Sequence, residues 1–303
     1  MNNYKSEDQI DIKKISLFLW QRKNTILIFT ISTIMISSFY VFSLPNIYTS
    51  KTILKPSQES SSLNGQLGIL SSMSSLTSQA GLSLNQGQGK TQEAIQRIRS
   101  YDFFVNQVMP DINIENLIAV DYWDKDTNTI FYDENIYIAS KEKWSFYDGN
   151  PSKPSKEVLY NSYKEILRIS EDKLSSFVTM TIDHESPVIA QQWTNLIVKK
   201  INKHMRNIDK EKAQKSITYL SEAAQNAYIS DVKQGISLLL QDEIKKMVLI
   251  ESSEFYIFDF IDSPRIPEKK SKPYRFILIL ISSFSAFLFI CIYLIIKKAI
   301  KPE

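Results

Sequence analysis

Cysteine, histidine and glycine are all scarce in this chain, which has one cysteine, two histidines and seven glycines. A single thiol, Cys291, excludes an internal disulfide framework, a pattern compatible with a bacterial periplasm. His184 and His204 are far apart, and no pair of Cys or His has metal-ligand spacing. His184, in Asp183-His184-Glu185-Ser186-Pro187, reads as a strand-end or cap residue rather than a catalytic base. Gly89-Lys90-Thr91 resembles the end of a phosphate loop, yet position 84 is Leu84 where that motif needs Gly, and no buried strand precedes it. Glu251/Glu254 and Asp259/Asp262 are carboxylate pairs of the kind a glycosidase uses. Such pairs are common in a chain with 33 acidic residues, and strand alternation puts Asp259 and Asp262 on opposite faces. No catalytic, cofactor-binding or metal-binding residues are expected, and the chain reads as a non-enzyme.

Charge is also absent from two long runs, Thr25–Leu44 and Phe276–Ile296, of 20 and 21 residues. Neither contains Gly or Pro, and a helix needs about 20 residues to cross a bilayer core of ~30 Å. Arg275 and Lys297-Lys298 bracket the second run as interfacial anchors. The first carries hydroxyls at Thr25, Thr30, Ser32, Thr33, Ser37, Ser38 and Ser43. It is longer than a signal-peptide apolar region and lacks a cleavage-like site. Both are predicted to span a membrane, as helices 25–44 and 276–296. A short tail (1–24), a loop domain (45–275) and a second tail (297–303) complete the expected layout. The tails leave no room for a catalytic or signalling domain, so function is expected in the loop and the spans.

Lys5, Lys13, Lys14, Arg22 and Lys23 precede the first span, which places both termini in the cytoplasm. Lys269, Lys270, Lys272 and Arg275 oppose that orientation, but long loops translocate largely regardless of charge. The loop holds 28 basic and 29 acidic residues. The net charge of +3 therefore belongs to the tails and marks no nucleic-acid surface.

Within the loop, Ile47–Leu54, Phe177–Ile182 and Phe255–Ile261 read as strands. Residues 60–89 carry no charge and hold five of the seven glycines. Leu63, Leu67, Leu70, Met73 and Leu76 recur at helical spacing there. The segment reads either as a flexible excursion or as a short amphipathic helix docking on membrane or a neighbouring subunit. Thr91–Val108 reads as a helix. Residues 121–150 are aromatic and turn-rich, with short strands expected at Ile136–Ala139 and Trp144–Phe146. Ser186 and Pro187 then open a very long helix, predicted over about 187–247 from apolar residues at helical spacing, with a local break allowed at Gly235. A continuous helix of that length measures ~90 Å. It exceeds the ~40 Å diameter of a domain this size, so it must project, and its apolar face then needs either other parts of the chain or copies of itself, with self-association into a tall assembly as the inference. The expected fold is an α+β periplasmic domain with a very long projecting helix, anchored by two transmembrane helices.

Pro264, Pro267 and Pro273 fall within the segment 263–275 that leads into the second run. Three prolines there read as a stiff extended strut or as a helix terminator with snorkelling lysines. Thr33/Ser37 and Ser282/Ala286 are small residues four apart, which either permit close helix approach in lipid or are ordinary filler.

Three blocks give the chain a resemblance to the Wzz-type chain-length determinants, the polysaccharide co-polymerases without a kinase domain. The first is Asp11-Ile12 and Leu19-Trp20-Gln21-Arg22-Lys23, followed beyond the span by Pro45 and Tyr48. The second is Ser186-Pro187, Ala190, Asn195, Ile201-Asn202, Arg206, Asp209, Ala213 and Ser216–Leu220. The third is Asp262, Pro264, Pro267-Glu268-Lys269 and Pro273. This resemblance implies a homo-oligomer of the Gram-negative inner membrane that lacks enzymatic activity and needs no cofactor. It would act with an O-antigen-type polymerase on a lipid-linked glycan and set the chain length of the O-antigen of lipopolysaccharide or a related polymer. A structural adaptor for capsule export is the alternative, with an envelope enzyme or sensor behind it.

Overall fold

A computed structural model describes residues 12–57, 86–145 and 153–300. The expectations for residues 60–85, for Phe146 and for the start of the N-terminal tail lie outside the described residues. In chain order the first elements are α1 (Ile12–Gln21), α2 (Lys23–Ser43), β1 (Tyr48–Pro56), α3 (Gln86–Ile98), β2 (Val120–Asp124), β3 (Thr129–Tyr132), β4 (Tyr137–Ile138) and β5 (Lys143–Trp144). They are followed by α4 (Lys156–Ile166), β6 (Leu167–Glu171), β7 (Val178–His184), α5 (Pro187–Asn226), α6 (Ser230–Ser252), β8 (Phe258–Asp262) and α7 (Arg275–Ile300). The chain divides into two compact units, residues 1–46 with 271–303, and residues 47–270.

The first unit consists of α1, α2 and α7. Lys23–Ser43 and Arg275–Lys298 are both long and apolar enough to cross a membrane. They pack against each other, burying Ile26 on α2 and Ile290, Cys291 and Leu294 on α7.

The second unit is built on a four-stranded sheet of order β6-β7-β1-β8. All neighbouring strands run antiparallel, with Leu54 opposite Val178, Thr52 opposite Met180, and Ile169 also opposite Met180. That register puts Leu54, Leu167, Ile169, Val178, Met180 and Ile182 on one buried face, and Lys51 and Arg168 on the other, exposed. Period-two alternation of this kind requires cover on one side only. α5 packs against β1 and β7, and α4 against β6 and β7. Ile197 and Ile201 of α5 fill the layer between helix and sheet. Each such side chain contributes about 1.5–3 kcal/mol by leaving water.

Several expected elements are present with changed limits. The helix read over Thr91–Val108 stops at Ile98 and restarts after Ser100. The Ser100 backbone is extended (φ −79, ψ 150), and its side chain accepts a hydrogen bond from Phe103 N. The aromatic region forms two small antiparallel pairs, β2–β3 and β4–β5.

The main correction concerns the long helix. α5 is a 40-residue helix, capped as expected by Ser186 with Pro187 in its first turn. At about 1.5 Å per residue it runs ~60 Å, not ~90 Å. It ends at Asn226, where Ala227 (φ −81, ψ 119) and Ile229 (φ −94, ψ 125) are extended. Ser230-Asp231 then starts α6, placing an acid in the favourable first turn of the new helix. α6 folds back antiparallel along α5, so Glu251 pairs with Lys210 and Arg206 reaches the carbonyls of Ser253 and Glu254. Gly235 lies inside α6 and makes no break. Apolar periodicity persists through such a turn because both limbs face each other, so the pattern reads alike for one straight helix and for a hairpin.

Candidate functional site

The small residues singled out in the apolar helices lie on their inward stripes. Ala286 is buried, and Thr33, Ser37 and Ser282 are half-buried. Four hydroxyls of α2 are satisfied within the helix itself. Thr30 donates to Ile26 O (2.9 Å), Thr33 to Phe29 O (2.9 Å), Ser37 to Ile34 O (3.2 Å) and Ser43 to Tyr40 O (2.7 Å). Ser282 of α7 likewise donates to Ile279 O (2.9 Å). Back-bonding of this kind lets a hydroxyl-rich helix enter an apolar medium without orphaned donors.

The proline segment is fastened at its beginning. Pro264 is buried, and its carbonyl accepts from Gln191 Nε2 of α5 (3.3 Å). Thr52 donates to Asp262 O (2.7 Å) and Ser50 to Arg265 O (3.2 Å), which ties the same stretch to β1. Pro267 and Pro273 are half-buried, and the Lys272–Pro273 peptide bond is cis. Pro264 is thus part of the packed α+β unit at the start of the proline segment.

Next to that stretch a buried polar array joins α5 to the chain around β8. Asn202 Oδ1 accepts from Ile257 N (2.8 Å) and Phe258 N (3.0 Å), and its Nδ2 donates to Phe258 O (3.0 Å). One side chain thus substitutes for a strand neighbour. About two turns farther along α5, Asp209 Oδ2 accepts from Tyr256 OH (2.6 Å) and from Lys90 Nζ (2.8 Å). Burial pushes the Asp209 carboxyl up, but Lys90 and Tyr256 outweigh it and hold the group below the ordinary carboxylate range. Lys90, noted in sequence only as a false phosphate-loop lysine, is therefore the ion partner that ties α3 to α5. Its partners lie 119 and 166 residues away, and nothing local signals them.

His184 ends β7 as read from the sequence. Its Nδ1 accepts from Ser186 N (2.8 Å), so Nε2 carries the proton and donates to Asn116 O (2.8 Å). Burial lowers its pKa to about 4, and the ring is neutral. Asp259 pairs with Lys55 and Asp262 with Arg265, so neither is a free acid. Among the described residues no group of three His, Cys, Asp or Glu could hold a metal ion.

The hairpin of α5 and α6 is the apolar surface of the second unit. Beyond Ala213 no residue of α5 is buried, and on α6 only Ile250 is. Tyr219, Tyr228, Leu238, Leu239 and Val248 are exposed, Tyr228 fully at 100% and Leu239 at 56%. A groove of about 580 Å³ runs along α6, lined by Leu240, Ile244, Val248 and Leu249 among others.

Comparison with known proteins bears on this architecture. Residues 8–111 match the family model described as Wzz, chain length determinant protein. No curated protein matches the chain. Among solved structures it is similar to a full-length bacterial polysaccharide co-polymerase at 12% identity, covering 97% of this chain and 98% of that one with a TM-score of 0.40. It is also similar to a fragment of WzzB, a polysaccharide co-polymerase from Salmonella Typhimurium, at 10% identity, covering 75% and 100% with a TM-score of 0.37. Neither superposition is close enough to transfer a residue role.

Proposed function

We propose that this protein is a non-enzymatic co-polymerase that regulates the chain length of a lipid-linked surface polysaccharide. The glycan is O-antigen or a related polymer, made by a membrane polymerase. The family match over residues 8–111 carries this reading. In it, α2 and α7 span the Gram-negative inner membrane, both termini are cytoplasmic, and residues 45–275 form the periplasmic domain. The exposed apolar side of the hairpin supports homo-oligomerisation, because monomeric soluble surfaces rarely keep contiguous apolar patches of that kind. Thr33, Ser37, Ser282 and Ala286 set how closely the two spans approach. Pro264, Pro267 and Pro273 set how the periplasmic domain leads into the second span.

Deletion of the coding sequence, followed by gel analysis of surface polysaccharide, tests the function. An altered distribution of chain lengths with polymer still present is expected. Complete loss of surface polymer would instead assign the protein to export. Sizing of detergent-solubilised protein should give a large closed assembly, and a strict monomer with native activity would remove the oligomer.

A further inference from the structure

The two ends of the helical unit treat their cations differently. At one end, Arg275 is used internally: it donates to Leu44 O (3.1 Å) and Asn46 Oδ1 (3.1 Å) and lies over the Phe42 ring (5.2 Å). At the other end are Arg22, Lys23, Lys297 and Lys298. Among the described residues none of these four makes an ion pair; Arg22 lies between α1 and α2, Lys23 opens α2, and Lys297 and Lys298 lie in the last turn of α7. Lys23 Nζ lies over the Trp20 ring (5.3 Å) and Lys298 Nζ over the Phe18 ring (4.4 Å), so two ammonium groups are held within one turn of α1. Phe18 and Leu19 pack against Ile26, Ile290 and Leu294, which fixes α1 across the ends of α2 and α7. Leu17 and Trp20 face outward, Trp20 at 71% exposure.

We propose that Arg22, Lys23, Lys297 and Lys298, arranged around Phe18 and Trp20, hold the headgroup phosphate of an anionic phospholipid whose acyl chains lie against Leu17 and Trp20. The proposal rests on the reading that α2 and α7 span a bilayer. Basic pockets between membrane helices on the cytoplasmic side suit anionic headgroups, and an exposed indole beside them suits the interfacial layer. A soluble acidic protein would match the charge but would leave Leu17 and Trp20 uncovered.

Trp20 provides the readout. It is the only one of the four tryptophans in the helical unit, the others being Trp123, Trp144 and Trp193. The full chain is reconstituted in vesicles that contain a fixed minority of either brominated phosphatidylglycerol or brominated phosphatidylcholine. Bromine quenches only tryptophans in contact with the bilayer, and the Trp20→Phe protein defines the background. Stronger quenching by the brominated phosphatidylglycerol is expected, corresponding to roughly fivefold local enrichment per lysine. K23Q/K298Q should erase the difference, K23R/K298R should keep it, and K269Q/K270Q should leave it unchanged. Equal quenching by both lipids overturns the proposal while leaving the spans intact. Absence of quenching by either lipid overturns the spanning reading itself. Reversal of the preference by added inorganic phosphate assigns the cluster to a soluble anion and overturns the lipid.

Discussion

The two halves of α5 carry the same apolar periodicity and use it differently. From Pro187 to Ala213 the stripe is buried against β1, β7 and the chain around β8, and its polar members Asn202 and Asp209 are bonded to residues distant in sequence. From Gln214 to Asn226 no residue is buried, and α6 lies alongside. A helical stripe therefore states that a helix has a partner without stating which one. Interrupted polar positions in the stripe carry the further information. Where Asn202 and Asp209 fall on the inward face, the partner must offer backbone groups or charges at fixed places, and only a folded domain does so.

The largest effect that could break this contrast is Asn202→Ala. It orphans buried backbone groups of Ile257 and Phe258, each worth about 1–3 kcal/mol, so a loss of about 3 kcal/mol or more is expected. Tyr219→Ala, in the outer half, should stay within ~0.5 kcal/mol. Urea denaturation of the solubilised full chain measures both, and equal losses would abolish the distinction.

Acid should act on the core under the inner half, where the His184 ring of β7 meets Trp193 of α5. The folded pKa of His184 is depressed from 6.5 to about 4, so between these values the unfolded chain binds a proton that the folded chain does not. Stability should therefore be full above about pH 6.5 and fall by about 3 kcal/mol as the pH drops to about 4. A His184→Gln protein should lose that acid limb. If its pH profile matches the parent between those values, the neutral buried ring is not the cause.

The proline segment divides in the same way. Pro264→Ala should cost about 1 kcal/mol or more, because it loosens the unfolded chain and also removes buried contacts. P267A/P273A should leave urea stability of the α+β unit within ~1 kcal/mol while shifting the glycan length distribution. If that double variant is abundant and the distribution does not move, the segment is only a helix terminator.

The smallest effect on stability, within ~0.5 kcal/mol, is expected for Leu239→Lys on the exposed side of α6. The same change should reduce the large assembly on sizing. A normal assembly would show that the hairpin face is not the contact between copies.

Much of this was legible in the sequence. The two uncharged runs became helices, and the three β-rich segments became β1, β7 and β8 of one sheet. β6 was missed because Leu167–Glu171 is short and carries Arg168 and Glu171 among its apolar residues, which weakens its pattern. α4 was missed in the same stretch, although Ser155 caps it through Val158 N. The return at Ala227–Ile229 lacks Gly and Pro, so only Asn226 and Ser230-Asp231 hinted at it. Lys90, Asp209 and Tyr256 could not be grouped at all, since nothing local links residues that stand 47 to 166 positions apart.

The position of β1 in the sheet has a consequence for how the protein is made. It is the first strand to leave the ribosome, yet its neighbours are β7 and β8, the last two. β8 follows roughly 200 residues later, on the order of 10–40 s at ordinary elongation rates. The edge that takes β7 is open until β7 emerges, and the edge that takes β8 is open for the whole interval. A growing chain stalled before β8 therefore presents an unpaired strand edge to whatever is nearby.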